Sequence, residues 1–153
     1  MDKTVLKEKL SHKQPMLSGV LVEKSDTIEI IYPDILFVDF IPVFSERALE
    51  VLKIYEPATI VKYINFIEGD GEDIKSYHIP ILKEVDCLSE KTVFKHGRQI
   101  DKGFLIKENI PDISIFKIAG EIDKEKTVIR ADFAESFLKR RLKGITLKSL
   151  EVV

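Results

Sequence analysis

Apolar side chains recur along this chain with two different periods, and their spacing divides it into short strands and two helices. Val20, Leu21 and Val22, then Ile28, Ile30 and Ile31, flank the turn-forming Lys24, Ser25 and Asp26, which predicts a hairpin. Residues 35–40 form a run too continuous for a half-exposed strand, which predicts a strand buried on both faces in the middle of a sheet. Residues 59–67 are rich in β-branched and aromatic side chains and read as a further strand. Across an acidic turn, residues 77–82 resume the sheet, so these two runs are expected to pair antiparallel. Pro80 within the second run implies an edge or a bulge, because proline has no amide hydrogen for a ladder.

The period then changes to that of a helix. Ser45 fits an N-cap, Phe44 and Leu49 fit a hydrophobic staple, and Ala48, Leu49, Leu52 and Tyr55 recur at helical spacing until Glu56 and Pro57 stop the run. A second helix is predicted from Asp132 as N-cap, with Glu135 three residues on and Ala134, Phe137, Leu138, Arg141 and Leu142 on one stripe, ending at Gly144. Lys139, Arg140, Arg141 and Lys143 occupy its last turn, where cations oppose the negative end of the helix dipole. Between the helices, residues 92–94 and 104–106 read as short strands around a mobile connection marked by Gly97 and Gly103. Residues 113–118 and 127–130 read as a hairpin, and Ile145, Leu147 and Leu150 as a closing strand. The sum is one α+β domain over residues 19–153, with a mainly antiparallel sheet, two principal helices and a loosely packed N-terminal arm over residues 1–18.

Composition narrows the class. With 153 residues, 44% apolar and 33% charged, the chain is neither depleted enough for disorder nor apolar enough for a membrane protein. Its net charge of −2 supplies no global field to gather nucleic acid or an anionic membrane, so electrostatic recognition has to be local. The single cysteine, Cys87, suits a reducing compartment. Charges scattered through the first ten residues leave no apolar stretch for a signal peptide, and a cytoplasmic location is expected.

The chemistry-bearing residues are sparse. Cys87, between Asp86 and Leu88, lacks the tight glycine-flanked turn that presents a nucleophile, and reads as an inert small hydrophobe. His12, His78 and His96 stand too far apart for paired metal ligands. The acidic loop around Asp70 lacks the ligand alternation and the distal glutamate of a calcium loop. The seven glycines are dispersed and form no phosphate cradle. No catalytic residue, cofactor or metal is expected. If the chain is an enzyme after all, the site would be assembled around His78, Asp86 and Cys87. Two charged surfaces remain as candidate partner contacts: Glu68, Asp70, Glu72 and Asp73 in the acidic turn, and Lys139, Arg140 and Lys143 at the basic helix end. A self-associating subunit, most simply a homodimer, is a third reading.

The order of segments resembles a bacterial family of immunity proteins associated with polymorphic toxins, formerly a domain of unknown function. The carriers are residues 44–49 opening the first helix, then residues 77–88 from Tyr77 through the Asp86-Cys87-Leu88 step. Residues 115–120 and 142–147 complete the pattern. The resemblance implies a cytoplasmic protein that binds a cognate toxin and blocks it without catalysis, through a surface that varies from member to member.

Overall fold

The computed structural model describes residues 20–24, 32–68, 71, 73–120, 122 and 126–153. Among the described residues, two α-helices and mostly antiparallel strands make an α+β fold, the class that the periodicity predicts. The chain divides into two compact units, one built from residues up to 81 with 141–144, the other from residues 82–140 with 145–153. The N-terminal arm and the predicted partner strand at residues 28–31 lie outside the described residues.

The first unit holds a five-stranded sheet. Its strands are β1 (Val20–Lys24), β2 (Ile35–Val38), β3 (Ile41–Phe44), β4 (Val61–Glu68) and β5 (Asp73–Pro80), in the order β1-β4-β5-β3-β2. The β1–β4 pair is parallel and the rest are antiparallel. The predicted pairing of the two runs either side of the acidic turn is present as the β4–β5 ladder, from Val61 opposite Pro80 to Glu68 opposite Asp73.

The apolar run at residues 35–40 is not one central strand. Asp39 and Phe40 take positive φ values of 50° and 66° and fold the run back on itself through a two-residue connection, the geometry whose twist matches a right-handed hairpin. β2 therefore lies at the sheet edge with Phe37 52% exposed, while β3 is buried throughout. The continuity of the apolar pattern came from joining a half-exposed strand to a buried one.

Proline placement corrects a second expectation. Pro80 sits on an interior strand, between β4 and β3 in the sheet order. It is the last residue of β5, and the ladder to β4 continues through the Ile81 amide to the Ile60 carbonyl at 2.8 Å, which turns the Pro80 nitrogen toward β3. Pro42 faces the same gap. The Ile35 amide donates outward to the Lys143 carbonyl, so alternation along the paired strands turns the backbone donors of residues 42 and 44 toward β5. With no donor at Pro42 or at Pro80 opposite it in register, the β3–β5 ladder is limited to the Phe44–His78 pair.

Register puts Ile41, Val43, Ile64, Tyr77 and Ile79 on one face of this sheet, and these five make a buried cluster. The Phe66 ring meets Tyr77 edge-on at 5.3 Å, and the Tyr77 hydroxyl donates to the Pro33 carbonyl. Burial first, then the charges of Asp34 and Tyr32, push the Tyr77 phenol up to about 12. The neutral form is favoured in the folded state. Its contribution is therefore complete below the ordinary phenol value of ~10 and is lost as pH rises through about 12. An ultraviolet titration of the folded chain should show a late-ionising phenol among the four tyrosines. Tyr77→Phe should remove that late component, and its survival in the variant would refute the assignment.

Helix α1 (Glu46–Tyr55) starts as its sequence dictates. Ser45 is extended, and its Oγ accepts from the Ala48 amide at 3.2 Å. The same hydroxyl donates to Asp34 Oδ1 at 2.9 Å, while Asp34 Oδ2 accepts from the Lys143 amide at 2.9 Å. Ala48, Leu49, Val51 and Leu52 are buried, and each leucine side chain removed from water contributes roughly 1.5–3 kcal/mol.

The second unit is built from shorter pieces. Strands β6 (Glu84–Val85), β10 (Ile115–Ile118) and β11 (Thr127–Ile129) form a three-stranded sheet. Strands β7 (Val93–Phe94) and β8 (Ile100–Lys102) form one pair, and β9 (Phe104–Leu105) with β12 (Glu151–Val152) another. The predicted β10–β11 hairpin is present, antiparallel from Ile115 opposite Ile129 to Lys117 opposite Thr127. Val85, Cys87, Ile100, Leu105, Phe116, Ile118 and Ile122 make the core of this unit.

Helix α2 (Ala131–Lys139) departs from expectation at both ends. Its N-cap is Arg130, because the Asp132 carboxylate is taken by the Arg130 guanidinium at 2.7 and 2.9 Å and by the Phe133 amide. That hydrogen bond from Arg130 holds the Asp132 carboxyl below its ordinary value. The helix ends at Lys139 rather than Lys143, since Arg141 adopts a φ of 52° that an α-helix cannot accommodate. The closing strand is displaced too. Residues 145–150 are irregular and the strand begins at Glu151. Leu150 spends its apolar side chain on Gly103, where a Cβ would come within 2.5 Å of its Cδ2.

Candidate interaction surfaces

Of the acidic turn, Asp73 opens β5, exposed and 3.8 Å from Lys75 Nζ, while Glu68 closes β4 opposite it. Asp70 and Glu72 belong to the connection between these strands and lie outside the described residues. The structure thus puts Glu68 and Asp73 opposite each other at the end of the β4–β5 ladder. Register also places Tyr63 and Ile74, 44% and 54% exposed, together on one face of that ladder.

The residues of the basic helix end are divided between the two units. Lys139 and Arg140 belong to the second unit, whereas Lys143 belongs to the first. Arg140 turns back so that its guanidinium donates to the Ser136 carbonyl of its own helix at 3.2 Å, an acceptor that also takes the Arg140 amide at 3.3 Å. Lys143 is held through its backbone, by Asp34.

The three residues singled out for chemistry are distributed in the same way. His78 lies in the first unit and Asp86 and Cys87 in the second. His78 Nε2 is 2.8 Å from Glu46 Oε2, tying β5 to the first turn of α1. Asp86 accepts through its backbone carbonyl from Asn109. Cys87 is fully buried, and that burial, with the Asp86 charge beside it, pushes the thiol up. A nucleophilic cysteine needs the opposite environment, one that favours the thiolate. Among the described residues, no three His, Cys, Asp or Glu side chains gather where they could hold a metal ion. None of their helices is long and apolar enough to cross a membrane.

Sequence reading passed over one surface, the connection it took as mobile. Residues 91–100 contain no acid and carry Lys91, Lys95, His96 and Arg98. The structure makes of them an arm, β7 and β8 joined through a 3₁₀ turn at His96–Arg98. Lys91, Val93, Phe94, Lys95, His96 and Arg98 are all exposed. The local signal was the uninterrupted run of one sign of charge, hidden because the strands beside it are only two and three residues long.

No family model, curated protein or solved structure matches this chain.

Proposed function

We propose that the chain is an immunity-type binding protein that neutralises a cognate bacterial toxin by contact. What carries the reading is the use made of its reactive side chains. Cys87 is buried with its thiol raised, His78 is engaged by Glu46, and Asp34, Ser45, Arg130 and Asp132 hold the ends of helices. Cationic and apolar side chains meanwhile stand exposed on the β7–β8 arm, and Tyr63 and Ile74 on the β4–β5 ladder. Stoichiometric inhibition asks for such surfaces, with aromatic and charged anchors, and needs no activated group. The order of segments across residues 35–150, similar to the immunity family, supports the same reading.

The test is co-expression with the product of the adjacent gene. A stable complex and rescue of cell growth are expected, and rescue should survive Cys87→Ala. Growth arrest that this chain never relieves, with no complex recovered by pull-down, would sink the proposal.

A further inference from the structure

Strand β2 closes the five-stranded sheet on one side, and its outer edge is only half used. Lys143 covers the start of it, its carbonyl accepting from the Asp34 and Ile35 amides at 2.9 and 3.1 Å. Gly144, at a φ of 98°, then turns the chain away. Alternation makes the Phe37 amide and carbonyl face outward as the Ile35 amide does, while Leu36 and Val38 turn theirs toward Val43 and Ile41. Among the described residues, no backbone group meets the two at Phe37.

The side chains along this edge are open as well. Leu36 and Val38 pack on the buried cluster of the sheet, which puts Phe37 on the other face, 52% exposed. Phe40 is 39% exposed at the hairpin tip, with a φ of 66° that a bulky residue rarely adopts. Glycine would relieve that turn, and strain retained at an exposed aromatic residue is a mark of function. Edge strands are commonly blunted by a lysine, a proline or an inward charge, and residues 35–38 have none of these.

We infer that the β2 edge receives an extended segment of the protein partner, which pairs with the Phe37 amide and carbonyl and lays apolar side chains against Phe37 and Phe40. The inference rests on the binding function proposed above. Two features choose an extended polypeptide as the occupant. An outward donor and acceptor on one edge residue match the main chain of an added strand, and the chain's own Lys143 already docks its backbone in this way beside Ile35. The hairpin at residues 35–44 contains no lysine or arginine, so it offers no cation to the phosphates of nucleic acid or of an anionic membrane.

A random decapeptide library displayed on phage and selected on the full chain supplies the probe. Selected peptides, labelled for fluorescence anisotropy, should lose affinity when alternate amides are N-methylated. They should also slow exchange of the Phe37 amide, which is fast in the free chain. Phe37→Pro removes the ring and the outward donor but no bond of the β2–β3 ladder, and should raise the Kd about tenfold or more. Phe37→Thr, which keeps the donor, should raise it less, and Lys53→Glu on α1 should leave it unchanged. Circular dichroism melts confirm that the variants fold, and the N-methylated peptides test the same contact on the natural chain should Phe37→Pro not fold. A library that yields no binder, binding that tolerates N-methylation, or equal binding by Phe37→Pro overturns the inference. So does a dimer on a sizing column that Phe37→Pro dissolves, because the edge would then belong to a second copy. If growth rescue survives Phe37→Pro, the edge is refuted and the neutralising function stands; if the peptides require the edge and no rescue occurs, the neutralising function falls and the edge stands.

Discussion

Gly144→Ala is expected to unfold most of the first unit under conditions where the natural chain is stable. Gly144 has a φ of 98°, where an L side chain is strained. A Cβ there would lie 2.2 Å from the Ile35 carbonyl oxygen and 2.6 Å from Pro33 Cβ. Neither neighbour is the free end of a flexible side chain. The alternative to the clash is to pull residues 143–144 away from β2, which breaks the pair of bonds that the Lys143 carbonyl accepts from the Asp34 and Ile35 amides. It also leaves the buried Asp34 carboxylate without the Lys143 amide. Strain of ~1–3 kcal/mol and the loss of a hydrogen bond to a charged acceptor at ~1–3 kcal/mol add to about 2–6 kcal/mol, comparable at its upper end with the whole stability of many domains. Hydrogen exchange should show lost protection in β2, β3 and β5. Protection equal to that of the natural chain would refute this account of Gly144.

Phe133→Ala is the counterpart in the second unit. Phe133 and Phe137 are 0% and 1% exposed, one helical turn apart, and meet edge to face with ring centroids 4.7 Å apart. Removing one ring leaves a cavity that the rigid neighbour cannot fill, and the pair's own attraction is lost as well. The expected cost is roughly 3–5 kcal/mol. Phe133→Leu, which keeps most of the volume, should cost less than half of that. A urea titration followed by circular dichroism compares the two. An alanine variant as stable as the leucine variant would mean that the ring is not packed as described.

What the sequence made legible was whatever depended on near neighbours. Helix α1 could be placed to the residue because its cap, staple and stop are consecutive signals, and the β4–β5 pair followed from two runs either side of a turn. The failures have a common cause in partners that a linear pattern does not show. Asp132 looked like a cap until Arg130 claimed its carboxylate, and Leu150 looked like a strand residue because its spacing did not reveal Gly103. The apolar run at residues 35–40 misled because a two-residue reversal with positive φ can be made without glycine. The candidate surfaces were legible as charge, but the unit to which each charge belongs was not. Lys139 and Lys143 are four residues apart in sequence and fall in different units.

The bonds from Asp34 to Lys143 span 109 positions of sequence. On a ribosome adding ~5–20 residues each second, the edge strand emerges about 5–20 s before the segment that covers its outer side. For that interval the nascent sheet presents an uncapped margin beside a solvent-facing phenylalanine, and a chaperone or a neighbouring nascent chain has its best opportunity to bind there.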